Sequence, residues 1–277
     1  MIWLRLFFGL IVAALFLAIF GPPRRLAQIF GWRLGRTLTV AFNRLLCFTI
    51  DARLRLHGTP SLAPKRLIVS NHVSWLDIPL LGAIEPMTFL AKKEVGGAFL
   101  GRQAALLQGI VFVDRQRKRG LPEVNANMAR AMRAREPVLL FAEATTSDGN
   151  RLLRFRSSHF EAIRLARADG AAGHGDAVVQ PVFLHYSGLA GLPVARIDRP
   201  TVAWYGDMTF LPHLWRFLRV GGATCEVFYG DPIPVQAAAD RKLLARETER
   251  AVRHLAERAR MGGGGATSAI PAEPKTG

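Results

Sequence analysis

The chain has 277 residues, half of them hydrophobic and about a fifth charged, which excludes a disordered protein and leaves room for one sizeable domain or two small ones. Thirty-seven Lys and Arg against 21 Asp and Glu give a formal charge of +16, so an anionic partner is expected: nucleic acid, phospholipid headgroup, phosphorylated substrate or acidic carrier protein. The two cysteines, Cys47 and Cys225, form no CxxC or Cys/His cluster, and neither a disulfide framework nor a zinc site is indicated.

Residues 1–20, MIWLRLFFGLIVAALFLAIF, carry one charge, at Arg5. A helix of that length is about 30 Å long, the thickness of a bilayer's hydrocarbon core. No small-x-small cleavage site follows it. Gly21, Pro22 and Pro23 lead instead into Arg24 and Arg25, a basic flank that favours an uncleaved anchor with its following side held in the cytoplasm. Spanning the membrane and lying in one leaflet both stay open. Over residues 26–48, Leu26, Phe30, Leu34, Leu38 and Phe42 recur every four positions, with Arg33, Arg36 and Arg44 between them. This reads as an interfacial helix with arginines at headgroup level, or as a core helix of the next domain; the adjoining anchor favours the first.

From residue 49 to 261 short apolar runs alternate with helix-length segments. Strands are predicted over 54–57, 67–70, 88–91, 110–113, 138–142, 178–184, 202–205 and 224–229. Charged, helical-period stretches occupy 122–135 and 238–260. The pattern predicts an α/β domain with a mixed, mainly parallel sheet flanked by helices. Residues 262–277, GGGGATSAIPAEPKTG, read as a flexible tail.

The chemistry gathers after strand 67–70, in RLIVSNHVSWLDIPLLG, where His72 and Asp77 lie five residues apart. On a regular helix five residues turn about 500°, so the two would not share a face. Pro79 places the helix start near residue 78, and the pair then straddles a strand-to-helix loop in which they can face each other. A carboxylate on one imidazole nitrogen fixes the tautomer and leaves the other nitrogen to take a proton, which makes a general base for a hydroxyl. A lone histidine after a strand also serves as a structural hydrogen-bonding residue, so the pair needs context. Two segments supply it. GIVFVDR (109–115) is an apolar strand ending in a charged pair, and VLLFAEATTSDGNR (138–151) is a second one, delivering Glu143 into a hydroxyl-rich turn. Loops at strand ends commonly build the site of an open α/β sheet.

These segments resemble, in order and spacing, four blocks of the glycerolipid acyltransferase family, whose best-known members are lysophosphatidic acid acyltransferases. NHVSWLD resembles NHxSxxD, and GIVFVDR resembles a glycine–phenylalanine–arginine block. FAEATTSDG resembles FPEGTRS, and VVQPVFL (178–184) resembles a strand with a central proline. The resemblance covers roughly residues 30 to 230. It implies His72 as the base that deprotonates an acceptor hydroxyl attacking an acyl thioester, with Asp77 orienting it and no covalent acyl-enzyme. It implies Arg115 as the holder of the acceptor's anionic headgroup, Glu143, Thr145 and Thr146 in the acceptor pocket, and Lys92 and Arg156 as lesser anion contacts. No cofactor or metal is implied; acyl-CoA or acyl-carrier protein is the co-substrate, and membrane lipids and a lyso-lipid acceptor are the partners. The expected place is the cytoplasmic face of a bacterial inner membrane.

The implied reaction is conversion of 1-acyl-glycerol-3-phosphate to phosphatidic acid in phospholipid biosynthesis. Two departures bear on the acceptor. Ala144 stands where the family has glycine, against any need for positive φ. Thr146 stands where the family has arginine, which removes a fixed charge from the expected phosphate site. TTSDGNR and RPTVAWYGDMTFLPHL (199–214) are similar to a bacterial branch that includes lyso-ornithine lipid acyltransferases, the alternative reading. More distant rivals are a nucleic-acid-binding protein, disfavoured by arginines spread along the chain, and a lipid esterase, disfavoured by the lack of a GxSxG elbow.

Overall fold

A computed structural model describes residues 33–92, 110–113, 120–168, 177–236 and 240–262, with three isolated positions, 7, 11 and 18, ahead of them. Apart from those three positions the proposed anchor over 1–20 lies outside the described residues, as do residues 26–32 of the expected interfacial helix, Arg115 and tail residues 263–277. Among the described residues no helix is long and apolar enough to cross a membrane.

The strands are β1 (Ala52–His57), β2 (Lys65–Ser70), β3 (Thr88–Lys92), β4 (Ile110–Val113), β5 (Val138–Phe141), β6 (Ala177–Leu189), β7 (Leu192–Pro193), β8 (Ala223–Tyr229) and β9 (Ile233–Pro234). They form one sheet in the order β1-β8-β6-β2-β5-β3-β4, with β7 and β9 as short antiparallel additions to β6. Strands β6, β2, β5, β3 and β4 run parallel; β8 is antiparallel to β6, and β1 is parallel to β8. The sheet is therefore mixed and mainly parallel, as the alternation of apolar runs and helical periods predicts.

The helices are α1 (Arg33–Thr49), α2 (Asp77–Gly82), α3 (Leu121–Arg133), α4 (Glu161–Ala168), α5 (Arg199–Val202), α6 (Phe210–Val220) and α7 (Arg241–Arg260). Successive strand residues point to opposite faces, so each face builds its own core. On one, Leu67, Val69, Leu140, Val179 and Phe183 meet Met128 and Met132 of α3, Ile163 of α4, and Val252 and Leu255 of α7. On the other, Ile68, Leu139, Val182 and Leu184 meet Cys47 of α1, Leu80 and Leu81 of α2, and Phe217 of α6. Helix α1 turns Thr39, Phe42, Asn43 and Cys47 inward, and Arg44 donates to the carbonyl of Ala83 at 3.0 Å. At its start α7 is capped by the Asp240 carboxylate, which accepts the Lys242 and Leu243 N–H groups.

The predicted strand over 202–205 is not a strand. Arg199–Val202 forms the short helix α5, with proline in its first turn, and Ala203 N–H returns to the Arg199 carbonyl at 2.7 Å. The apolar run TVAWY imitates a buried strand because Val202 and Ala203 are core residues. The strand predicted over 178–184 continues to Leu189, through a register shift between Tyr186 and Gly188 opposite β8.

Candidate active site

The site occupies a notch in the sheet. Strand β2 ends at Ser70, opposite Val182, while β6 runs on to Leu189 paired with β8. Residue 71 takes the place beside β6 that β2 leaves. Asn71 makes the join: its amide nitrogen donates to the Leu184 carbonyl at 3.1 Å, and its side-chain oxygen accepts the Leu184 N–H at 2.8 Å. A side chain thus continues the ladder for one step where the backbone turns away.

His72 and Asp77 meet as the motif predicts. Nδ1 of His72 lies 2.7 Å from Asp77 Oδ2, which also accepts the backbone N–H groups of Val73 at 2.8 Å and Ser74 at 3.0 Å. The other oxygen, Oδ1, accepts the phenol of Tyr186 at 2.5 Å. Asp77 is fully buried, and four donors take the place of its hydration. An ionised Asp77 requires the proton on Nδ1, which leaves Nε2 with its lone pair; among the described residues Nε2 has no hydrogen-bond partner. The half-buried imidazole stacks on Phe141, with centroids 3.8 Å apart and planes 9° from parallel. The Ser74 hydroxyl, buried and without a partner among the described residues, contributes less than its backbone N–H.

The loop is held from three sides. Glu143 is buried beneath it: Oε2 accepts the His72 N–H at 3.0 Å and Oε1 accepts the Leu153 N–H at 2.7 Å. Burial pushes the Glu143 carboxyl up to about 7, against the pull of those two N–H groups and with a smaller upward push from Asp77. The Ser147 N–H reaches the His72 carbonyl at 2.8 Å, and the Trp204 N–H reaches the Val73 carbonyl at 2.9 Å. Ala144, between Glu143 and these contacts, has φ +61°. The turn does need a left-handed residue there, and alanine supplies it under strain.

The remaining expected site residues divide. Thr145 is exposed and Thr146 half-buried, on the turn that leads from Glu143 to Ser147. Arg156 is exposed, and its backbone N–H pairs with the Ala142 carbonyl at 2.9 Å, which keeps that segment beside the same turn. Lys92 ends β3, with its side chain outside the described atoms, and Arg115 follows β4 just beyond the described residues. The pattern reading missed Tyr186, whose signal is a phenol on the β6 face otherwise given to Val182 and Leu184. It also missed Trp75, inside the motif, whose indole N–H donates to His213 Nδ1 of α6 at 3.1 Å.

Comparison with known proteins follows the same lines. The family model described as Acyltransferase matches residues 53–185. Over 232 residues the chain is 39% identical to the lyso-ornithine lipid O-acyltransferase of Brucella abortus (strain 2308), covering 84% of this chain and 85% of that one. The enzyme of the same description from Rhizobium meliloti (strain 1021) is 36% identical over 240 residues, covering 86% and 80%. A 1-acyl-sn-glycerol-3-phosphate acyltransferase from Neisseria gonorrhoeae is 29% identical over 187 residues, 68% of each chain. In fold, the chain matches the crystal structure of the 1-acyl-sn-glycerophosphate acyltransferase PlsC from Thermotoga maritima with a TM-score of 0.63 at 17% identity, over 93% of this chain and 95% of that one.

Proposed function

The chain belongs to the glycerolipid acyltransferase family, and on that premise we propose that it acylates the free hydroxyl of a lyso-lipid at a membrane, using an acyl thioester as donor. The observation that carries the reading is the contact between His72 Nδ1 and Asp77 Oδ2, in a loop whose backbone is pinned at His72 and Val73. Nε2 of His72 takes the proton of the acceptor hydroxyl as its oxygen forms a bond to the thioester carbonyl carbon. Asp77 stabilises the imidazolium that results. Collapse of the tetrahedral intermediate breaks the carbon–sulfur bond, and the proton passes from Nε2 to the departing thiolate. The products are the diacylated lipid and a free thiol, with no nucleophilic serine or cysteine required. Thr145, Thr146, Arg156, Lys92 and Arg115 are the acceptor and anion contacts of this proposal.

Two acceptors stand. Lyso-ornithine lipid is favoured by the Brucella and Rhizobium relatives and by Thr146, which offers a hydroxyl where the family pattern has a guanidinium. 1-Acyl-glycerol-3-phosphate is kept by the Neisseria relative. Either lipid resides in a membrane, so a place on a lipid surface follows from the substrate, and the excess of arginine suits anionic headgroups and an acidic acyl carrier protein or the phosphates of coenzyme A.

The test is to give membranes containing the protein a labelled acyl thioester with each lyso-lipid in turn, and to identify the product by mass. General-base catalysis is worth about 10²–10⁴-fold, so His72→Ala should lose that much in kcat while remaining folded. Wild-type turnover in a folded His72→Ala protein would refute the assignment. Release of free fatty acid without an acylated lipid would make the enzyme an esterase.

A further inference from the structure

Helix α6, FLPHLWRFLRV, is amphipathic in an unusual sense. Its inward face is His213 and Phe217, both buried. Its outward face is not simply polar: Leu211 is 71% exposed and Trp215 55%, one turn apart, with Phe210 and Val220 also partly open to solvent. Arg216 and Arg219 are exposed on the same side, and from Met208 to Gly222 the chain carries no carboxylate. Large apolar side chains bordered by arginines, without acidic residues, are the makeup of a helix that lies in the headgroup region of a bilayer. The charge alone would also suit an acidic carrier protein; Leu211 and Trp215, exposed beside the arginines, favour an anionic lipid surface, where large apolar side chains sink below the headgroups.

The helix is also tied to the reacting loop. Trp75, three residues from His72, donates its indole N–H to His213 Nδ1 at 3.1 Å, and His213 Nε2 is 3.0 Å from the Ala203 carbonyl. Burial lowers the His213 pKa, which suits the neutral ring these two bonds need. Trp75 further packs edge-on against Phe210 and Phe217, with centroids 5.4 and 6.0 Å away. The Trp204 N–H, six residues before the start of α6, holds the Val73 carbonyl. A surface that seats α6 therefore fixes the distance between itself and His72.

We propose that the outward face of α6 is a membrane-docking surface, inserted among anionic lipid headgroups, which sets the His72 loop at the depth where a lyso-lipid hydroxyl lies. This rests on the acyltransferase reading for its purpose but not for its binding. It places a lipid contact within the described α/β fold, separate from the apolar run at residues 1–20.

The test uses the full chain carrying Leu211→Cys, labelled with an environment-sensitive fluorophore; the two native thiols, Cys47 and Cys225, are buried. Vesicles are phosphatidylcholine with or without phosphatidylglycerol, doped with a chain-labelled quenching lipid. The expected result is quenching of the Leu211 position on the phosphatidylglycerol vesicles. The Arg216→Gln/Arg219→Gln pair should weaken it several-fold, reduce acyl transfer to vesicle-borne acceptor, and leave transfer to detergent-dispersed acceptor unchanged. A label that stays unquenched on vesicle-bound, active protein overturns the proposal. So does a buried label in the absence of vesicles, whether it depends on protein concentration (a second copy of the chain) or not (a segment of the same chain). Quenching in a protein that acylates no lyso-lipid would keep the docking surface and remove the enzymatic reading instead.

Discussion

The phenol of Tyr186 donates to Asp77 Oδ1 across 2.5 Å, on the oxygen that His72 does not use. Burial and the adjacent carboxylate push its ionisation well above the ordinary tyrosine range, so it is a donor wherever the enzyme is folded. In the proposed mechanism Asp77 is thereby shared between a group that changes protonation and one that does not.

Tyr186→Phe leaves Oδ1 buried without a donor, at a cost of about 1–3 kcal/mol in stability. Asp77 then keeps three of the four donors that fix its carboxylate against the His72 imidazole. On the proposed mechanism kcat should fall about ten-fold, on the scale of one lost hydrogen bond to a charged group. A lower melting temperature with an unchanged kcat would make Tyr186 structural only.

Glu143 gives stability a pH dependence. Its carboxyl is raised from 4.5 to about 7 in the folded protein. Between those values the unfolded chain has released a proton that the folded chain keeps, so this group makes stability fall as pH rises, by up to about 1.4 kcal/mol per pH unit. Glu143→Gln should remove that slope in urea-unfolding midpoints. It should also lower stability at acidic pH by about 1–3 kcal/mol, because an amide can accept only one of the His72 and Leu153 N–H groups.

Ala144 sits at φ +61°, where a Cβ is strained. Ala144→Gly should stabilise the protein by about 0.5–1 kcal/mol, the relief of strain exceeding the entropy gained by the unfolded chain. Thermal unfolding of the two proteins side by side decides it; an unchanged or lower midpoint would mean that the turn relaxes around alanine.

Thr146→Arg restores the guanidinium of the family pattern. A charge-assisted bond to phosphate is worth about 1.5–3 kcal/mol, so kcat/KM for 1-acyl-glycerol-3-phosphate relative to lyso-ornithine lipid should rise about ten-fold or more. Competition between the two acceptors in one vesicle preparation measures the ratio directly.

Much of this arrangement is legible in the residues themselves, and the exceptions share a cause. His72 and Asp77 are visible because Pro79 marks the start of α2, whose first residue is Asp77, and the strand before His72 is unbroken. Strand Ile110–Val113 and the helix over Leu121–Arg133 follow from short-range pattern alone. Glu143 is visible as a strand-end carboxylate, but not that both of its oxygens serve backbone N–H groups from segments 71 and 10 residues away in sequence. Tyr186 is 109 residues from its partner, and only the pairing of β6 beside β2 brings the two together. The misread strand at 202–205 has the same origin: Trp204 spends its N–H on Val73, a contact with no local signature.

The side-chain splice of Asn71 onto Leu184 has a bearing on how this enzyme could change over time. Because Asn71 is joined to β6 and the backbone of His72 and Val73 is held by Glu143, Ser147 and Trp204, the His72–Asp77 pair is fixed independently of the exposed turn beside it. On the proposed assignment of Thr145 and Thr146 to the acceptor, new acceptors are accommodated by editing the turn at 144–150, while the His72–Asp77 pair stays as it is. Asn71→Ala would loosen that separation, and its harm should fall equally on every acceptor.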